Sequence, residues 1–180
     1  MQGLKSGATC VLLAGILTAM ARVEANPDCT VRLGPAVIDF GTTTRGQLLA
    51  QSVQGDPLSF GFRRAQASVQ CSRSGPLRLE LVGPAAAAGL YRFGAGTLKV
   101  RVMSVRVDGK PAQWLSEGLV DGPDADVLRP GSRLIPALAG VGIEGQGMEV
   151  ELELDARIPS AASRVSDLTR FETDLGLRLR

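Results

Sequence analysis

An all-β fold built from two packed sheets is what this sequence predicts, and three observations carry that expectation. Apolar and polar residues alternate with period two over most of the chain, the alternation changes phase inside three runs, and short Gly- and Pro-containing turns separate the runs. Period-two alternation lays one face of a half-buried strand on a core. A one-residue slip sends every later side chain to the opposite face, so each phase change predicts a bulge or a strand that crosses between sheets. Three such changes suit a sandwich better than a flat sheet.

In chain order, residues 1–25 read as an export signal. Lys5 gives a positive start, Val11 to Met20 an apolar stretch, and Val23-Glu24-Ala25 small residues before a cut, with Ala21 as a second possible cleavage point. The apolar stretch is shorter than the roughly 20 residues a spanning helix needs. Cys10 precedes it instead of closing it, so it is assigned to the discarded segment.

The first strand has Cys29, Val31 and Leu33 in one phase, then Ala36, Ile38 and Phe40 in the other, with the switch at Gly34-Pro35. In SFGFRRAQASVQC the phase passes from Phe60 and Phe62 to Ala65, Ala67, Val69 and Cys71, across Arg63-Arg64. In TLKVRVMSVRV it passes from Leu98, Val100 and Val102 to Val105 and Val107, across Met103-Ser104. MEVELELDARI places Met148, Val150, Leu152, Leu154, Ala156 and Ile158 on one face and Glu149, Glu151, Glu153, Asp155 and Arg157 on the other. FETDLGLRL repeats the pattern, with Phe171, Thr173, Leu175, Leu177 and Leu179 on one side. The connections TTTRG, QGDP, SRSGP, GPAAAAG, VDGKP, LVDGPDAD, RPG and EGQG read as turns. Residues 85–88 suit a helical turn within a loop, and 160–170 a loop or short helix. Gly and Pro are spread evenly, so residues 26–180 form one domain.

Composition excludes several function classes. Histidine is absent, which removes the usual general base and the commonest metal ligand, and with them Ser-His-Asp, Cys-His and His-zinc chemistry. The carboxylates of 149–155 alternate with apolar residues and read as a solvated strand face, so no enzyme activity and no cofactor is expected. Without residues 1–25 the chain keeps 18 Lys+Arg against 17 Asp+Glu, after Lys5, Arg22 and Glu24 are subtracted from 20 and 18. A net charge near +1 gives no reason to expect nucleic acid, whose recognition needs a clustered basic face. Two cysteines remain, Cys29 and Cys71; in an exported chain an even pair is most simply a disulfide, two free thiols being the other reading. Tyr91, Phe93 and Trp114 could stack on a ligand but more simply close the end of a core, and Arg63-Arg64 reads as a solvated pair; none is assigned a ligand.

Cys29-Thr30-Val31, the Val37-Ile38-Asp39-Phe40-Gly41 run, the Phe60 to Cys71 strand ending in the second cysteine, Leu98 to Gly109 with its Asp-Gly turn, and the alternating final strand together resemble a subunit of chaperone-usher pili. The resemblance covers most of the chain after residue 25. It implies an immunoglobulin-like sandwich lacking its last strand, whose groove is filled first by a periplasmic chaperone and then by the N-terminal extension of a neighbouring subunit. It further implies passage through an outer-membrane usher to the cell surface. Phe171, Thr173, Leu175, Leu177 and Leu179 would line the groove, and the carboxylate of Arg180 would be gripped by basic residues of the chaperone. Only Asn26-Pro27-Asp28 precede Cys29 after a cut at 25, or seven residues after a cut at Ala21, too little at about 3.3 Å per residue to reach a neighbour. The chain is therefore expected to accept a strand without donating one, as a tip or starting subunit, and to meet any receptor through its own loops. The competing expectation is a self-contained secreted sandwich that binds carbohydrate or protein.

Overall fold

The computed structural model describes residues 28–52, 57–117 and 124–180; the export signal read at 1–25, and Asn26 and Pro27 after it, lie outside them. The described residues form β1 (Cys29–Gly34), α1 (Arg45–Gln51), β2 (Leu58–Pro76), β3 (Leu79–Val82), β4 (Tyr91–Phe93), β5 (Gly96–Val107), β6 (Lys110–Glu117), β7 (Val127–Leu128), β8 (Arg133–Leu138), β9 (Val141–Gly142), β10 (Glu144–Ile158) and β11 (Gly176–Leu179). All ladders are antiparallel. One sheet runs β1-β2-β10-β5, with β4 and β7 attached to β5; the other runs β6-β8-β3-β11, with β9 attached to β8. The β5–β6 hairpin joins them. Asp108 and Gly109 at its tip both have positive φ, as a two-residue hairpin turn of the favoured hand requires. The fold is an all-β two-sheet sandwich.

Alternation became burial where the ladder is regular. Met148, Val150, Leu152, Leu154, Ala156 and Ile158 are all buried, as are Leu98, Val100, Val102, Val105 and Val107 of the neighbouring strand. The phase change in β5 falls where it was expected. Leu152 pairs with Val102 and Glu151 with Ser104, which leaves Met103 as the extra residue of a bulge and restores Val105 to the core.

Two other positions differ from the expectation. In β2 the irregularity lies at Phe60–Gly61 and not at Arg63-Arg64: Asp155 pairs with Phe62 and Arg157 with Ser59. Gly61 takes φ +83°, a left-handed conformation that glycine adopts without steric cost, and the turned backbone sends Phe62 into solvent. In β10 the polar face is covered at its end. Asp155 is buried, accepting from Ser59 Oγ at 3.3 Å and from Arg157 Nε at 2.8 Å.

At Gly34-Pro35 the phase change ends β1 outright. The following residues make no ladder until α1, whose N-terminus is a capping box: Gln47 N–H donates to Thr44 Oγ1 at 3.3 Å and Thr44 N–H to Gln47 Oε1 at 2.8 Å. The sequence reading covers only the start of this helix, with residues 42–46 as a turn, although Thr44-x-x-Gln47 carries the signature. Leu48, its buried residue, ties it to the core. The turn expected at 85–88 appears as a 3-10 turn at Ala87–Gly89, and that in 160–170 as Ser160–Ser163.

Tyr91 and Phe93 are core residues, and half-buried Trp114 packs against the same core, so the reading of these aromatics as core closers holds. Tyr91 is fully buried, and its hydroxyl donates to the Leu81 carbonyl at 2.9 Å, bridging the two sheets. Burial, and then the nearby Glu80 charge, push the phenol well above its ordinary range. A raised folded-state pKa stabilises fully below the unfolded phenol's value of about 10, and that contribution is lost as pH rises beyond it. Tyr91→Phe should therefore lower stability by about 1–2 kcal/mol at neutral pH, from a carbonyl left without its donor. The gap between wild type and variant should narrow above about pH 10; urea midpoints from pH 7 to 11 measure both effects.

Candidate functional site

The two terminal strands of the sheet path, β1 and β11, come within 8 Å of each other between Cα atoms, yet no ladder joins them. Among the described residues β1 pairs only with β2, and β11 only with β3. Beside this seam, among the described residues, lies a groove of about 960 Å³. Phe60, Phe93, Leu98, Leu154 and Ile158 belong to its floor, which is the sandwich core itself.

One rim is the segment from Pro35 to Thr43. Arg63 holds it: Nε donates to the Asp39 carbonyl at 2.8 Å, Nη2 donates to the Phe40 carbonyl at 3.0 Å, and the guanidinium lies 5.4 Å from the Phe40 ring centre. The expectation that Arg63-Arg64 faces water is therefore corrected for Arg63. Arg64 does lie on the surface, 3.1 Å from Glu151. Asp39 Oδ1 accepts from Gly41 N–H at 2.7 Å and turns the chain toward α1.

The other rim runs from Ser163 to Leu175. Its residues 171–175 are expected from the alternation to open the final strand, but the ladder covers only Gly176–Leu179. The physical reason is the length of β3, which ends at Val82 before Gly83-Pro84, so residues 171–175 have no strand beside them. They are carried instead by Gly94, whose N–H donates to the Glu172 carbonyl at 3.0 Å. Alternation survives without the ladder: Phe171, Thr173, Leu175, Leu177 and Leu179 are half-buried, and Glu172, Asp174, Arg178 and Arg180 exposed. Of the residues expected to line a groove, Phe171, Thr173 and Leu175 line this one. Leu177 and Leu179 stand in the laddered part beyond it. The Arg180 side chain meets Glu80 at 3.2 Å, and its N–H continues the β3 ladder to the Arg78 carbonyl.

Four phenylalanines connect the rims. Phe40 and Phe171, one on each rim, both pack on Phe93, at 5.7 and 6.4 Å between ring centres, and Phe60 touches Phe93 and Phe171 at 5.8 and 5.9 Å. Apolar side chains also stand in solvent at the mouth, with Val37 80% exposed on one side and Leu168 91% on the other. Charges of both signs surround them, including Asp39 on the first rim, Arg45 at the start of α1, and Asp167 and Arg170 on the second rim. Among the described residues β11 has a ladder partner on one edge, β3, and the groove beside its start opens onto the core.

The disulfide Cys29–Cys71 is formed and joins residues that face each other in the β1–β2 ladder. It anchors the strand that continues into the first rim. Among the described residues, no helix is long and apolar enough to cross a membrane. No protein-family model matches the chain, and the comparison with curated proteins returns no match.

Proposed function

We propose that this chain is a structural subunit of a surface pilus, exported through the periplasm and assembled by strand donation. A periplasmic chaperone fills the seam between β1 and β11 first, an outer-membrane usher receives the complex, and a neighbouring subunit's strand then replaces the chaperone's. The observation that carries this reading is the unladdered seam beside an apolar groove whose floor is the core. A free strand edge over exposed core side chains is a template for strand addition.

A second reading has its own support. β1 and β11 already approach within 8 Å between Cα atoms, as they would in a complete, self-contained binding module. Periplasmic expression separates the two. A strand acceptor should aggregate or be degraded when expressed alone, and should accumulate as a one-to-one complex when a pilus chaperone from the same genome is co-expressed. Equal periplasmic yield and solubility with and without the chaperone would refute the pilus assignment.

A further inference from the structure

Within the inward row Phe171, Thr173, Leu175, Leu177 and Leu179, a single side chain is polar. The Thr173 hydroxyl oxygen is fully buried, and among the described residues it has no hydrogen-bond partner. It belongs to the groove wall, in a segment that no ladder joins to another strand among the described residues. A buried hydroxyl without a partner carries an uncompensated desolvation cost, so each such group calls for an explanation. Valine has nearly the same shape and no hydroxyl to desolvate. The hydroxyl at this point is disadvantageous to the chain by itself and useful to a complex that supplies the missing partner.

We infer that Thr173 is a specificity-determining residue of the groove, and that the inserted strand carries a hydroxyl or amide side chain at the position beside it. The geometry of an added strand permits this. Its inward side chains lie with Cβ atoms about 4.5–5.5 Å from those of the strand it joins, within reach of a Thr–Thr, Thr–Ser or Thr–Asn hydrogen bond. Strands that are uniformly apolar on their inward face leave the hydroxyl unsatisfied and are disfavoured, so one position of an otherwise apolar groove discriminates among donors. The inference rests on the strand-acceptance reading above and adds a requirement that reading does not contain.

The test uses synthetic peptides of about ten residues, the length of a long strand, with valine at every second position. Each valine is replaced in turn by threonine, which keeps the shape and adds a hydroxyl. Dissociation from wild type, Thr173→Val and Thr173→Ser is then compared as a double-mutant cycle. At one peptide position the wild-type protein should retain the threonine peptide about three- to tenfold longer, relative to the valine host, than Thr173→Val does. Thr173→Ser should keep that preference. The free Thr173→Val protein should melt at the same temperature as wild type or higher. Absence of coupling at every position, with the peptides still bound, would overturn the role of Thr173 and leave strand acceptance standing. A lower melting temperature for free Thr173→Val would also overturn it, since the hydroxyl would then serve the isolated fold. Failure of every peptide to bind any of the three proteins would count against strand acceptance itself.

Discussion

Removing the Cys29–Cys71 bridge by Cys29→Ser with Cys71→Ser should lower stability by roughly 4 kcal/mol, the chain-entropy value for a closed loop of this length. The two residues are 42 apart in sequence, so the reduced, unfolded chain regains much conformational freedom. The loss should concentrate in one place. β1 is a terminal strand held laterally by β2 alone, and its continuation is the first rim of the groove. Denaturant midpoints of the oxidised and serine forms give the global effect. Amide exchange should show protection lost first at Thr30 to Gly34, with the centre of the β2–β10 ladder retained. A double serine variant within about 1 kcal/mol of wild type would mean that the ladder and core already hold this strand.

Gly96→Ala should be comparably damaging, for a steric reason. Gly96 opens β5 beside the end of β10, and a methyl group there would overlap the Arg157 carbonyl oxygen and sit 2.8 Å from Ile158 Cγ2. The obstruction is mainly backbone, so no side-chain rotation relieves it. The two central strands of the first sheet must move apart, at a cost of about 3 kcal/mol. Gly75→Ala is the internal control: nothing lies within 4 Å of its added carbon, its φ is ordinary, and its effect should fall within about 0.5 kcal/mol of zero. Thermal melts of the two variants beside wild type decide the matter. Equal melting temperatures for Gly96→Ala and Gly75→Ala would show that β5 and β10 have slack at this point.

How far each element was legible depended on whether its cause is local. The 148–158 strand was readable to its inward residues because six apolar side chains repeat at the pleat period. The Met103 bulge was readable because the apolar phase changes on both sides of it. The turn at Asp108-Gly109 was readable because few other dipeptides tolerate two successive positive φ angles. Phe62 was misplaced because Gly61, not the arginine pair, turns the strand, and an apolar residue just after a glycine reads as inward from pattern alone. α1 was missed although Thr44-x-x-Gln47 announced it, since one apolar anchor, Leu48, is too little periodicity to mark a helix.

The candidate site divides along the same line. Alternation in residues 171–179 showed which side chains face inward, and the burial pattern agrees at every one of them. Alternation could not show that β3 stops at Val82 and leaves half of this segment without a strand beside it. Nor could it assign Arg63 to the carbonyls of Asp39 and Phe40, a contact across 24 and 23 positions of sequence.

By itself, then, the sequence determined that the chain is all-β, which faces of its strands are apolar, which two cysteines are available to pair, and which histidine-based chemistries are excluded. Only the tertiary structure decided that the first and last strands become neighbours without hydrogen bonds between them, and that a groove opens there onto the core. The reason is physical: a period-two pattern records which face of a strand meets apolar surroundings, while its edges carry the same N–H and C=O groups in every residue except proline. Which edges meet is settled by long-range closure of the whole sandwich.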